Sequence, residues 1–341
     1  MGGSDRYPEE HAFHRGGTKI LPITATSQGY GYPFTKSLNA PEGPSSLVPL
    51  PFRLLTHNIR YAARDLFPHE RPWPQRLPNL LRQFHHYTAS PFNPLSTVIC
   101  LQEVLQSQLS DLATAFGDEW AHVGVGRDDG KAAGEFNPVF YNTQGWAQAH
   151  SETIWLSDTP ERPSRGWDAG SNRLCTCVVL QSRLTGSHAR KVMVLNTHLD
   201  NASKLARRNG ALLILKYAKR WRKDFDVDHV FLSGDLNSTR DERHGAWEVL
   251  NTSDSGFVDV GRFLRTDDVR QFGDEITFTG FDGHGDEDAA RTLDFVHHGL
   301  SEEETIGEAS HRLRSYSVVP NLFDDGIRCS DHRAVVVDLV L

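Results

Sequence analysis

Ser330-Asp331-His332-Arg333-Ala334-Val335-Val336-Val337 sets an aspartate and a histidine on the lip of an apolar run. Such a pair is poor material for a core, because burying either group unpaired is costly. It suits a site that takes a proton from water while holding a phosphate or a metal. Four other apolar runs end in polar residues: Thr56-His57-Asn58, Gln102-Glu103, Thr197-His198-Leu199-Asp200 and Gly234-Asp235-Leu236-Asn237. Short apolar runs of this kind read as buried strands. Strands that deliver Asn, Glu, His, Asp and Asn to their ends read as one site.

Outward from these runs, the sequence predicts strands over 52–58, 98–101, 139–141, 174–180, 192–196, 230–232, 293–296 and 334–341. Helices are expected over 76–87, 108–116 and 204–223. The last is the clearest, with Leu205, Leu212, Leu213, Leu215 and Tyr217 as its apolar side and Lys and Arg on the other, which reads as a solvated face. Strands outnumber helices, and some helices fall between strands. That pattern predicts an α+β fold of two packed sheets with outer helices, the polar strand ends meeting at one rim. Residues 1–48, rich in Gly, Pro, Ser and His, are expected to be a flexible arm, and 49–341 a single catalytic domain.

The chain has 341 residues, enough to bury a substantial core, and its 38% hydrophobic content is that of a folded protein. A formal charge of −8 excludes a broad basic coat for nucleic acid. It leaves room for an enzyme that grips a few phosphates beside divalent cations, which bring their own positive charge. No apolar run reaches the roughly 18 residues of a membrane span. No secretory signal is visible at the N-terminus, and the triplet Asn237-Ser238-Thr239 would place a glycan inside the site; both point to an intracellular protein, cytoplasmic or nuclear. The expected assembly is a monomer. Four cysteines make no disulfide framework, and Cys175 and Cys177 alternate on one strand face as small apolar groups.

Hydrolysing a phosphodiester at neutral pH requires charge neutralisation, a deprotonated water and a stabilised leaving oxygen. Mg²⁺ uses one or two carboxylates and keeps waters, so a lone Glu103 after a buried strand suits it as a ligand. Asn58 and Asn237 can hold a metal-bound water or a phosphate oxygen without adding charge. Asp235 and Asn237 lie two apart, so in an extended segment both side chains point the same way and form a clamp. His198 and His332 need carboxylate partners to be positioned, and Glu135 and Asp294 are the acids on offer. Arg173, just before a strand, reads equally as a phosphate contact or a salt bridge.

The ordered set Thr56-His57-Asn58-Ile59-Arg60, Leu101-Gln102-Glu103, Gly134-Glu135-Phe136-Asn137-Pro138, Asn196-Thr197-His198-Leu199-Asp200, Gly234-Asp235-Leu236-Asn237, Leu293-Asp294-Phe295-Val296 and Ser330-Asp331-His332 resembles the endonuclease/exonuclease/phosphatase superfamily. In catalytic order it is similar to pancreatic-type deoxyribonucleases and abasic-site endonucleases. The stretch from Trp155-Leu156-Ser157 to Gly166-Trp167-Asp168 is closer to a less characterised hydrolase branch. The resemblance implies a four-layer α/β/β/α sandwich of two mostly antiparallel sheets, and Mg²⁺- or Mn²⁺-dependent hydrolysis of phosphoesters. It implies metal ligation by Glu103 and Asn58, with Asp331 and Asp235 as further ligands. It implies a water-orienting pair, Asp235 and Asn237, a phosphate-side acid, His198 with Glu135, and a general-base pair, His332 with Asp294. Arg173, Asn58 and His198 would touch substrate. Nucleic acid, DNA or RNA, is the first expected substrate; inositol phosphates, phospholipid head groups or another small phosphoester are the alternative. A catalytically inactive binding module on the same fold is the reading from another class.

Overall fold

The computed structural model describes residues 48–89, 94–185, 189–264, 268–282 and 291–341. The arm expected at 1–48 therefore lies, apart from Val48, outside the described residues. In chain order the strands are β1 (Pro51–Asn58), β2 (Thr97–Gln102), β3 (Trp120–Val123), β4 (Val139–Asn142), β5 (Trp146–Trp155), β6 (Leu174–Ser182) and β7 (Lys191–His198). There follow β8 (His229–Asp235), β9 (Phe257–Asp259), β10 (Gln271–Gly273), β11 (Asp294–Gly299), β12 (Leu313–Val319) and β13 (Ala334–Val340). The helices are α1 (Trp73–Thr88), α2 (Gln106–Phe116), α3 (Lys204–Asp224), α4 (Ala246–Leu250) and α5 (Ile306–Arg312).

One sheet runs β10-β12-β13-β1-β2-β4-β3 and the other β5-β6-β7-β8-β11-β9. The central strands β1, β2, β7 and β8 are buried at nearly every position because both of their faces are covered. Leu54, Val98, Cys100, Val178, Val194, Phe231 and Val337 point into a core between the sheets. Their neighbours Leu55, Ile99 and Leu101 turn outward to pack with Leu80, Phe84 and Leu112 of α1 and α2. On the far side Cys175, Cys177, Met193 and Leu195 meet Ala211, Ile214 and Trp221 of α3. The period of two along each strand thus makes four layers. Most pairs are antiparallel, but β1–β2, β7–β8 and the edge pair β10–β12 are parallel, with Asn58 opposite Gln102 and His198 opposite Asp235 in the first two. Parallel neighbours end together. β11 runs antiparallel to β8 and starts where β8 stops, Asp294 opposite Asp235. β13 likewise begins just after Asp331 and His332. This topology alone carries four strand ends and two strand starts to one rim.

α1 begins earlier than the apolar period predicts, since Pro74 in the first turn costs no hydrogen bond. Asp294, expected inside a strand, opens β11. Among the described residues no helix is long and apolar enough to cross a membrane.

Away from the rim, His298 of β11 is fully buried and stacks on Phe231, ring centroids 4.9 Å apart. Burial pushes its pKa down to about 4 against the pull of Glu304, while Arg312 and Arg222 add to the drop. An imidazole with a folded pKa below its unfolded 6.5 lends stability above pH 6.5, and that stability drains as the pH falls towards 4. His298→Leu should therefore show a smaller fall in urea midpoint between pH 7 and pH 5 than the wild-type protein, as followed by far-UV circular dichroism. Parallel curves would reject the assignment.

Candidate active site

The converging ends line a cleft of about 490 Å³ whose walls include Glu103, Asp331, Asp235, His332, His198 and Glu135. Three carboxylates gather on one side. The Asn58 amide nitrogen donates to Glu103 Oε1 and to Asp235 Oδ2, at 3.0 Å each, tying the first sheet to the second. Asp331 is buried, and its carboxyl is pushed up by burial and by Glu103, against the pull of His332 and Arg60. Burial also drives Asp235 up to about 7, with Asp294 as a further cause.

His332 occupies the centre. Its Nδ1 lies 2.8 Å from Asp294 Oδ2, and its Nε2 lies 3.7 Å from Asp235 Oδ2. Burial would lower this imidazole, but Asp294, Asp235 and Asp331 together outweigh it and hold the pKa up to about 10. The bond at Nδ1 fixes the ring and leaves Nε2 towards the cleft. On the other wall Asn237 donates its amide to Leu199 O and faces His198 Nε2, both at 3.0 Å. Since that amide is a donor to Leu199 O, Nε2 accepts, and the His198 proton sits on Nδ1. Burial, Arg173 and Arg127 keep His198 well below the usual imidazole range, hence neutral at pH 7. Glu135 Oε2 is 3.8 Å from His198 Nδ1, too long for a hydrogen bond; its close partner is Arg127 Nη1 at 2.6 Å. Burial and Glu103 raise Glu135 to about 7.

Three of the strand ends turn in the left-handed region without glycine: Arg60 at φ 56°, Glu103 at 60° and Asn237 at 46°. The expected Asp235–Asn237 clamp in extended backbone is thus corrected: the chain curls, and the Asn237 amide N–H donates to Asp235 Oδ1 at 2.8 Å. Gly234, at φ 137°, lets β8 press on β7; a Cβ there would lie 1.9 Å from Thr197 O.

Asn58 presents its amide nitrogen, not its oxygen, to the acids, because Oδ1 accepts from Arg60 N at 3.0 Å. As placed it orients ligands rather than donating an oxygen to a cation. Arg173 is no surface salt bridge: it is 7% exposed, bonded to Asp200 at 3.3 Å and Asn201 at 3.0 Å, and Nη1 is buried without a partner. Asp200 itself is structural, bonding Gly170, Ala202 and Ser203 amides. Sequence reasoning missed Arg127, which sits in a loop without periodicity, and gave no role to Gln102, whose amide bonds Asn196 Oδ1 at 2.7 Å.

Oxygen donors of Glu103, Asp235 and Asp331 on one side of a cleft suit a hard divalent cation. The tightest cluster of ligating atoms, within 4.8 Å of one another, is Asp235, Asp294 and His332. In it Asp294 Oδ2 and His332 Nδ1 are bonded to each other, and Asp235 is the member that also shares the Asn58 amide with Glu103.

Solved structures of the same fold exist. The chain is 26% identical to an endonuclease/exonuclease/phosphatase from Bacteroides vulgatus, over 85% of this chain and 98% of that one, with a TM-score of 0.68. It is 24% identical to a mannosyl-6-phosphatase of Bacteroides thetaiotaomicron over 85% of this chain and all 100% of the other, TM-score 0.68. A D. rerio TDP2 complexed with single strand DNA product is 14% identical over 84% of this chain and 98% of that one, TM-score 0.57. No protein-family model matches the chain. No curated protein matches it.

Proposed function

Because the chain belongs by its fold to the endonuclease/exonuclease/phosphatase superfamily, we propose that it is a divalent-metal-dependent hydrolase of phosphoester bonds. The observation that carries this reading is the meeting of Glu103, Asp235 and Asp331 with the His332–Asp294 pair at one cleft. A divalent ion held by the three acids would neutralise charge on the phosphoryl group and the leaving oxygen. Arg173 Nη1 and the His198 Nδ1 proton, buried without partners among the cleft residues, would donate to phosphoryl oxygens. Asp294 holds the His332 ring so that Nε2 can take a proton from the attacking water. Neutralising Asp235 and Asp331 removes two of the charges that raise His332, bringing it nearer the range a general base needs.

For the substrate we place a small phosphoester before nucleic acid. The cleft volume is that of a small-ligand site, and the chain carries a charge of −8. A sugar phosphate, such as the one named for the Bacteroides relative, fits that chemistry. The nuclease reading rests on the arginines Arg127, Arg173 and Arg291 among the cleft residues, cations that can hold phosphates.

A panel of sugar phosphates, inositol phosphates, RNA and DNA, each with Mn²⁺ and with EDTA, separates these readings. Release of phosphate from a small monoester, abolished by EDTA, is the expected result. Cleavage of the polynucleotides alone would reverse the order, and no metal-dependent turnover of any member would overturn the assignment.

A further inference from the structure

Below the acids a second device is built from backbone carbonyls. Arg76 of α1 is 0% exposed, and its guanidinium makes no hydrogen bond to a carboxylate. Its Nε donates to Arg71 O at 2.9 Å. Nη1 donates to Ile59 O at 2.8 Å and to Cys329 O at 2.9 Å. Nη2 donates to Arg60 O at 3.0 Å and to Tyr61 O at 3.2 Å. Each of the five N–H groups of the fork thus has one carbonyl, the full capacity of the side chain.

Those carbonyls belong to the loops that carry the site. In the first, Arg60 N holds Asn58 Oδ1, and Tyr61 N donates to Glu103 Oε2 at 3.2 Å. In the second, Cys329 stands two residues before Asp331, and Ser330 Oγ donates to Asn58 O at 2.6 Å. Gln108 of α2 supports the same loop, its amide reaching Arg60 O at 3.1 Å while its oxygen accepts from Ala62 N at 3.0 Å. Without these donors, loop carbonyls would be buried unpaired, and the turn that aims Glu103 would have no floor.

We infer that Arg76 is a positioning residue for the acid cluster: its fork sets the spacing between the loop that aims Glu103 and the loop that carries Asp331, so that both carboxylates face one cation. The inference rests on the proposed metal-dependent function for its consequence, but the brace itself is a matter of loop order. Lysine keeps the charge and supplies only three donors from a single point, so Arg76→Lys removes the fork and leaves carbonyls unmatched.

The test compares the full-length wild-type protein, Arg76→Lys and Leu80→Ala, the last a buried lesion in the same helix outside the brace. Hydrogen exchange should rise in segments 59–63 and 327–332 of Arg76→Lys and stay as in wild type for Leu80→Ala. Mn²⁺ titrated by calorimetry without substrate should bind Arg76→Lys about tenfold or more weakly, the scale expected when support of a metal ligand is lost. Leu80→Ala should lower Tm and leave that affinity within about twofold. If Arg76→Lys does not fold, Arg76→Gln, which keeps two of the five donors, carries the same expectations, and Gln108→Met, which removes support from the first loop only, should raise exchange in 59–63 and leave 327–332 as in wild type. Unchanged exchange in both loops would overturn the brace, and unchanged Mn²⁺ affinity with faster exchange would overturn its role at the acids. A wild-type protein that takes up no Mn²⁺ would sink the functional reading instead, while the exchange result still decides the brace.

Discussion

His332→Ala is expected to lower kcat by about 10²–10⁴-fold, the range for removal of a positioned acid or base, with a smaller change in KM. The imidazole is the only group bonded to Asp294 among its described side-chain contacts, and its Nε2 looks towards Asp235 and the cleft. Removing it also leaves Asp294, which is 0% exposed, as a buried carboxylate with no cationic partner. That loss costs about 3–5 kcal/mol when it occurs in a protein interior, so the variant will unfold at a lower temperature. Stability and chemistry separate in His332→Ala/Asp294→Ala, which removes the stranded charge. It should regain thermal stability and stay inactive. Recovery of turnover in the double variant would show that the single variant failed through misfolding.

Glu103→Gln should remove metal-dependent turnover almost completely, by about 10³-fold or more, given the several kcal/mol a divalent ion supplies to a phosphoryl transition state. The substitution keeps the shape of the side chain. Its amide oxygen can still accept from Tyr61 N, so the loop stays in place. What changes is charge and one acceptor: one of the three carboxylates facing the cleft becomes neutral, and its new NH2 takes the place of the oxygen that accepted from Asn58. Mn²⁺ binding, followed by calorimetry, should weaken in parallel with activity, and excess Mn²⁺ should restore part of the rate. A variant with full affinity and full turnover would remove Glu103 from the site.

Much of this was legible in the chain because the strands that carry the site are buried on both faces. Residues 98–101 and 334–337 read as strands without ambiguity, and their polar ends were conspicuous against them. β5 escaped because it is an edge strand with exposed Gln148 and Ala149, and it shows no run of apolar residues. β12 escaped because Arg314 and Ser315 interrupt its apolar positions at a register shift. At the site, residue types were visible and backbone turns were not. Asp235 and Asn237 were paired on their spacing, and spacing along a sequence cannot reveal that the chain curls at Asn237. Arg76 was hidden for a related cause. A buried arginine that serves only carbonyls has no acidic partner in the sequence to point it out.

The left-handed turns at Arg60, Glu103 and Asn237 have one more consequence. For residues with a Cβ each such conformation costs on the order of 1–2 kcal/mol, Asn the least. The sheets behind the rim therefore hold it under tension, like a drawn spring that only a rigid frame can keep cocked. Glycine at the middle position would slacken it, yet the same change would strip Asn58 and Tyr61 of the acceptor that keeps the frame closed.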